Sequence, residues 1–307
     1  MKVSIIGGGG RVGSNAAYAL QLGANVNEIA IVDVAREMAE GEALDLRHGA
    51  ALAGSQRIYA GGYEAVEGSD IVVITAGLRR KPDESRLELI SRNVALFRSI
   101  LEEVRKVKLA GGAIVLVVSN PVDVLTKLAV DGSGAPPKRV IGLGTLLDTT
   151  RFRSLLAEHF KVNPMDVNAL ILGEHGDSMV PIWSSAAING VPLPSFPGYD
   201  ETTVQNIFDF TKKSGAEVIR LKGGAGYAVG LAIRRLVEAV VLDEKAVLPV
   251  SSLQEGMFGV SGVCLSVPTI VGKSGVEGLV EIVLTEGEKA GVQNCGRVLG
   301  DTLRQIS

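Results

Sequence analysis

The sequence holds three histidines, so the search for a side chain that exchanges a proton near neutral pH is short. His48 falls in a helical pattern and His159 near a helix end, positions that cover surface. His175 is different, lying in Gly173-Glu174-His175-Gly176-Asp177 directly after the apolar run Val167 to Leu172. Loops held by a rigid strand are where catalytic side chains concentrate. Asp148 and Arg151 stand three apart at the start of a predicted helix and project from one face. Taken alone, that pair also reads as an N-cap aspartate with a surface ion pair. The segment Leu78-Arg79-Arg80-Lys81-Pro82-Asp83-Glu84-Ser85-Arg86 places four cations in nine residues between a strand and a helix. Such a run is a solvated loop or, at the carboxyl edge of an open sheet, a clamp for an anion.

A second constellation opens the chain. The run Gly7 to Gly13 contains one fingerprint in register, with Gly8 permitting a tight turn, Gly10 admitting a pyrophosphate and Gly13 letting helix and strand pack closely. The helix beginning at about Arg11, with Val12 and Gly13 in its first turn, aims unpaired N–H groups at that anion. A glycine turn after a strand is on its own only a turn. Here it is followed, 20 residues after Gly13, by Asp33 at the end of the next strand. A carboxylate there accepts from the ribose hydroxyls of NAD and repels the extra phosphate of NADP. Thr75-Ala76-Gly77 adds small residues where a cofactor crosses the carboxyl edge of the sheet.

These residues need an alternating α/β framework. Lys2 to Ile6, Ile29 to Val32, Ile71 to Thr75 and Ala113 to Val118 read as buried strands. Ile90, Val94, Phe97, Leu101 and Val104 mark an amphipathic helix after Ser85, and Met38, Ala39, Ala43 and Leu46 an earlier one. Asn120-Pro121 closes a strand and opens another helix. The second half mixes helices at roughly 146–160, 201–221 and 226–243 with strands near 167–173, 246–251 and 262–267. A last helix begins after Thr285, with Glu288 completing a capping box. The expected division is 1–145 and 146–307, an α/β half with a parallel sheet followed by an α+β half.

Composition narrows the partners. The 307 residues carry 31 Lys and Arg against 34 Asp and Glu, a net charge of −3, which argues against nucleic acid and anionic membrane surfaces. No apolar run approaches the roughly 20 residues of a bilayer span, and no targeting segment is expected. Cys264 and Cys295 show no zinc-type spacing, so no metal site is expected, and a reducing, cytoplasmic setting fits them.

In order along the chain, the glycine loop with Asp33, Thr75-Ala76-Gly77, the cationic loop ending in Arg86, Ser119-Asn120-Pro121-Val122, Leu147-Asp148-Thr149-Thr150-Arg151-Phe152-Arg153 and Gly173-Glu174-His175-Gly176-Asp177-Ser178 carry a whole-chain resemblance. The sequence is similar to the lactate and malate dehydrogenase family, and most closely to its lactate-dehydrogenase-like malate dehydrogenases. The resemblance implies an NAD-binding Rossmann-type domain over 1–145 and a substrate-binding and catalytic domain over 146–307. It implies that His175 exchanges a proton with the substrate while hydride passes to or from the nicotinamide, with Asp148 orienting the ring. It further implies that Arg151 grips the substrate C1 carboxylate and that Arg86 closes over the site and polarises the carbonyl. Asn120 would bond substrate and nicotinamide ribose, with Asn93 and Val118 near the cofactor and the Asn120-Pro121 bond cis. The assembly implied is a homo-tetramer or homo-dimer.

The family's discriminating position falls at Arg80, where lactate-type relatives carry glutamine. A second guanidinium suits a dicarboxylate, and one left facing pyruvate's methyl group costs about 2–5 kcal/mol. Ala225 stands where malate-type relatives have a small residue. The expectation is therefore an NAD-dependent malate dehydrogenase acting on malate and oxaloacetate, as in the tricarboxylic acid cycle. Against it, Glu84-Ser85-Arg86-Leu87 resembles the lactate type, and Arg79 stands where many malate-type members have proline and competes with Arg80 for the distal carboxylate. An L-lactate or other 2-hydroxy acid dehydrogenase is the alternative, and a non-catalytic NAD-binding sensor on the same fold the remote one.

Overall fold

The computed structural model describes residues 1–23, 25–79 and 83–306, without the Arg86 side chain. In the first half the apolar runs are strands β1 (Lys2–Ile6), β2 (Glu28–Val32), β3 (Arg57–Gly61), β4 (Ile71–Ile74), β5 (Ile114–Val117) and β6 (Val140–Gly142). Between them lie α1 (Arg11–Gln21), α2 (Arg36–His48), the single-turn α3 (Ala50–Ala53), α4 (Arg86–Lys106) and α5 (Val122–Gly132). The six strands pair in parallel in the order β3-β2-β1-β4-β5-β6. The order reverses between β1 and β4, and a crevice at such a reversal, beyond the strands' carboxyl ends, is where open α/β sheets bind ligands.

Both faces of the sheet are covered, as the unbroken apolar strands require. Val3, Ile5, Ile29, Ile31, Ile71 and Val73 pack with α1 and α2 on one face, while Ile6, Val32, Val72, Ile74, Val115 and Val117 pack with α4 and α5 on the other. Ala39, Ala43 and Leu46 of α2 point inward as their spacing predicts, but Met38 is exposed. Ser85 and Glu88 form a capping box at the start of α4, and Thr285 and Glu288 form the expected one at the last helix.

The second half contains α6 (Leu146–Phe160), β7 (Val167–Leu172), β8 (Val180–Ile188), β9 (Val191–Pro192), α7 (Glu201–Lys222), α8 (Tyr227–Val241), β10 (Ala246–Glu255), β11 (Ser261–Gly272), β12 (Gly275–Leu279) and α9 (Glu286–Ile306). Strands β7, β8 and β9 make a separate antiparallel sheet. Strands β10, β11 and β12 instead continue the main sheet, antiparallel, with Ser251 of β10 paired to Gly142 of β6. The sequence reading had assigned the β10 and β11 segments to the second half alone. They cover the β6 edge, which would otherwise present unpaired backbone groups. Helix α8 likewise packs its Val229, Ile233, Leu236 and Val240 on the first-half core.

Candidate active site

The β1–α1 turn is built for close approach. Gly7 has φ +88°, and a Cβ there would lie 2.5 Å from the Ala76 backbone nitrogen. A Cβ at Gly8 would meet Ile31 at 2.6 Å, and one at Gly13 the Gly7 carbonyl oxygen at 2.4 Å. Gly10 occupies the N-cap of α1 without any side-chain capping bond, so the first-turn N–H groups of α1, at Arg11, Val12 and Gly13, lack a side-chain cap beside the crevice. Asp33 follows β2 and wraps the turn: its Oδ2 accepts from the Gly9 N–H at 3.0 Å and its Oδ1 from the Ala35 N–H at 3.0 Å. Across the reversal, Thr75 Oγ1 donates to the Ile6 and Gly7 carbonyls, each at 3.1 Å. Gly77 borders Asn93, whose Oδ1 accepts from the Leu78 N–H at 2.8 Å and whose Nδ2 donates to the Leu89 carbonyl at 3.1 Å. Asn93 is thus tied to the backbone that leads out of β4. Val118 and the exposed Asn120 leave β5 on the same edge, and the Asn120-Pro121 bond is cis. A glycine turn without room for a Cβ at Gly7, Gly8 or Gly13, uncapped helix N–H groups and a carboxylate at the end of β2 form a cradle that fits a dinucleotide.

The second constellation assembles where the two halves meet. Asp148 lies in the first turn of α6 and not at its N-cap, which is Thr145. One Asp148 oxygen accepts from Arg151 Nη1 at 3.0 Å, and the other is hydrogen-bonded to His175 Nδ1. Asp148 is buried, whereas the Arg151 and His175 side chains keep 16% and 22% exposure toward the site. With Nδ1 engaged, His175 presents Nε2 as its free ring nitrogen. Thr145 Oγ1 donates to the Ile171 carbonyl and Thr149 Oγ1 accepts from the Ile171 N–H at 3.0 Å, which fastens the first turn of α6 to the strand that leads into the histidine loop. Gly173, at φ +86°, pairs with Ser266 of β11 and packs so closely on Cys295 that a Cβ would lie 2.4 Å from the thiol.

A residue that the sequence reading passed over completes the set. Asp123, one place beyond the Ser119-Asn120-Pro121-Val122 motif, is buried in α5 and its Oδ2 accepts from the His175 backbone N–H at 2.7 Å. Its Oδ1 has no hydrogen-bond partner of normal geometry, and the Ser251 hydroxyl that lies near this carboxyl works against the effect of burial on it. The available signal was a lone carboxylate in a stretch whose neighbours Val122, Val124 and Leu125 are all apolar.

The electrostatics follow from this placement. Burial alone would lower the His175 pKa, but the charge and hydrogen bond of Asp148, with Asp123 behind, outweigh burial and the nearby Arg151 and raise it above the ordinary imidazole value. Burial would raise the Asp148 carboxyl, yet His175 and then Arg151 hold it below the usual carboxylate range. Asp123 has less support, and burial pushes its carboxyl up to about 6. The arrangement is a proton donor and acceptor held beside a guanidinium that can take an anion.

Of the other sequence-predicted residues, the Arg11 side chain turns away from the glycine loop toward the carbonyls of Lys222 and Gly224, and Val12 packs on the core. Ala225 is partly buried against that same core. Arg80 lies outside the described residues; Arg86 opens α4 with its backbone alone described. Among the described residues no group of His, Cys, Asp and Glu is arranged to hold a metal ion, and no helix is long and apolar enough to cross a membrane.

Residues 1–142 match the family model for the lactate/malate dehydrogenase NAD binding domain, and residues 145–307 match that for the lactate/malate dehydrogenase alpha/beta C-terminal domain. The chain belongs to the lactate/malate dehydrogenase family. Its cofactor is NAD. Relatives include L-lactate dehydrogenase 1 of Clostridium acetobutylicum, 45% identical over 99% of this chain and 98% of the relative. L-lactate dehydrogenase of Acetivibrio thermocellus is 43% identical over 99% of this chain and 97% of the relative. Among solved structures, the minor L-lactate dehydrogenase from Enterococcus mundtii in its ligands-bound form is 38% identical, with a TM-score of 0.94 over 100% of this chain and 98% of that one.

These relatives overturn the expectation of a malate dehydrogenase acting on malate and oxaloacetate in the tricarboxylic acid cycle. That expectation rested on Arg80 and Ala225. The small side chain of Ala225 has a packing reason, because it sits between glycines in the junction pressed against α1, so its size carries no statement about a dicarboxylate. Arg79 stands exposed beside Arg80, and a charge count in a surface loop weighs less than near-complete alignment with lactate-type chains.

Proposed function

We propose that this chain is an NAD-dependent L-lactate dehydrogenase that interconverts pyruvate and L-lactate. The observation that carries the reading is the single buried Asp148 carboxylate that holds His175 with one oxygen and Arg151 with the other. The names of the relatives, identical at 43–45% across nearly the whole chain, support the choice of substrate.

Each residue then has a physical task. Arg151 keeps donors beyond the one engaged by Asp148 and grips the substrate carboxylate in a planar fork, which a lysine could not reproduce. In pyruvate reduction His175, charged with the help of Asp148, donates its Nε2 proton to the carbonyl oxygen; in lactate oxidation the neutral ring accepts the hydroxyl proton. Arg86 closes over the site, polarises the carbonyl and excludes water. Asn120 bonds the substrate, while Arg80 and Ala225 border its far end. The glycine turn at Gly8, Gly10 and Gly13, with the backbone N–H groups of Arg11 and Val12 in the first turn of α1, receives the NAD pyrophosphate, Asp33 the ribose hydroxyls, and Thr75, Ala76, Gly77, Asn93, Val118 and Asn120 line the nicotinamide side. When bound there, NAD supplies the hydride acceptor or donor.

In this reading residues 1–145 are the cofactor domain and 146–307 the substrate and catalytic domain, a division supported by the two family matches, to 1–142 and 145–307. A homo-tetramer or homo-dimer is part of the proposal, as is a cytoplasmic setting, supported by the two buried free thiols Cys264 and Cys295.

The test is steady-state NADH oxidation with pyruvate and with oxaloacetate, for the wild type and His175→Ala. The expected result is a higher kcat/KM for pyruvate and a loss of at least about a hundredfold in the variant, the lower range for removing a general acid, with NADH still bound. A preference for oxaloacetate sinks the lactate reading; a variant within about tenfold of wild type removes His175 as the acid.

A further inference from the structure

The junction between α7 and α8 is Gly223-Gly224-Ala225-Gly226, three glycines around Ala225, which the proposed function puts at the far end of the substrate. Gly223 has φ +77° and Gly224 φ +151°, conformations that a chain of such permissive residues does not hold by itself. Something outside the junction must fix it. The Ile219 carbonyl accepts from the Gly223 N–H at 2.8 Å, and the α7 carbonyls beyond it have no partners further along the helix, as at any helix C-terminus.

Arg11 supplies what is missing. It is the first residue of α1, and its Nη1 donates to the Lys222 carbonyl at 2.5 Å and to the Gly224 carbonyl at 3.1 Å. The guanidinium therefore brings both donors and positive charge to the negative end of the α7 dipole. The rest of the first turns of α1 and α8 are in contact. A Cβ at Gly226 would lie 2.8 Å from Asn15 Nδ2 and 3.2 Å from Arg11 Cγ, and one at Gly230 would lie 2.8 Å from the Asn15 carbonyl oxygen. Asn15 is in turn tied back to the Arg11 carbonyl at 2.7 Å. Two turns earlier in α7, a Cβ at Gly215 would lie 3.6 Å from Arg151 Nη1. So α7 runs from the carboxylate clamp to the junction, and Arg11 holds the far end.

We propose that the Arg11 side chain is a positioning group for the substrate half of the site: it caps α7 and holds the glycine junction that carries Ala225, while its backbone faces the cofactor. The α1 helix then ties the two ligand sites into one rigid piece. The proposal rests on the lactate dehydrogenase reading only for the choice of pyruvate as the probe.

The experiment compares wild type, Arg11→Ala and Arg11→Lys in three measurements: pyruvate KM and kcat, NADH affinity by fluorescence titration, and amide hydrogen exchange of the ligand-free protein over residues 222–230. Expected for Arg11→Ala is a rise of about tenfold in pyruvate KM, the worth of one charge-assisted hydrogen bond, with kcat and NADH affinity changed by less than about threefold and exchange at the junction faster. Arg11→Lys, which keeps the charge without the fork, restores part of the KM. Unchanged exchange together with unchanged KM overturns the proposal. So does a loss of NADH affinity with pyruvate KM intact, which would make Arg11 a cofactor ligand. A wild type that ignores pyruvate would defeat the substrate reading instead, and the exchange measurement would still judge the junction.

Discussion

His175 is gripped at two points by carboxylates from different elements, its ring by Asp148 of α6 and its backbone by Asp123 of α5. The two grips do different things. Asp148 touches the titrating ring and raises its pKa directly; Asp123 contributes its charge through the loop. Replacing Asp148 by Asn removes the larger support while burial, which lowers the ring, remains. If the chain reduces pyruvate with His175 as the acid, as proposed, the reaction needs the protonated ring, and kcat/KM falls as pH rises through the His175 pKa. The pH profile of Asp148→Asn is expected to have that midpoint at lower pH, so that the variant loses kcat/KM at pH values where the wild type keeps it. Asp123→Asn, which retains an acceptor for the His175 N–H, is expected to move it in the same direction by less. An unmoved midpoint in Asp148→Asn would show that Asp148 does not set the charge of the ring. His175, Asp148 and Arg151 were legible because few histidines exist and the i, i+3 spacing placed two partners on one helix face. Asp123 was less so: its apolar neighbours Val122, Val124 and Leu125 point to burial, but a main-chain bond to a residue 52 positions away leaves no trace in spacing.

The elements that carry these groups were mostly visible in apolar periodicity and caps: the helices at 146–160 and after Thr285 lie where the pattern placed them. What periodicity does not record is how one element is fastened to the next. Thr145 and Thr149, both buried, hold the two backbone groups of Ile171 from the first turn of α6, and this fixes Asp148 and Arg151 against the strand that delivers His175. Thr149→Val keeps the shape but leaves the Ile171 N–H buried without an acceptor, at a cost of about 1–3 kcal/mol. Urea unfolding of the variant is expected to show that loss with an unchanged slope. Pyruvate KM is expected to rise as well, since clamp and histidine sit on opposite sides of the fastening. Full stability in Thr149→Val would mean that the hydroxyl has no structural task. Strands β3, β6, β8 and β12 escaped the sequence reading for related reasons. They are short, or partly exposed and so lack a continuous apolar run, and their identity comes from the partner they pair with.

Two features bind the halves into one body: β10, β11 and β12 extend the sheet of the first half, and α8 fills one face of its core. The proposed boundary near residue 145 therefore crosses a sheet and a core that both halves share. The single tryptophan, Trp183, stacks edge-on against Phe152 and Phe208 beside the small β7-β8-β9 sheet, so its fluorescence reports the second half alone, whereas far-UV circular dichroism follows the helices of both. In urea the two signals are expected to change together, and NADH, which binds the native state, is expected to move both midpoints upward by the same amount. Separate midpoints, with NADH shifting only one, would show that the shared sheet does not couple the halves. Protein concentration adds an independent handle. Helices α2 and α8 leave Met38 and Leu231 more than half exposed, and Leu52 of α3 is almost fully so, apolar surface of the kind that marks contact between subunits. If subunits associate there, the common midpoint rises with protein concentration by mass action. A midpoint constant over a hundredfold dilution would instead leave the two halves of one chain to account for all the stability.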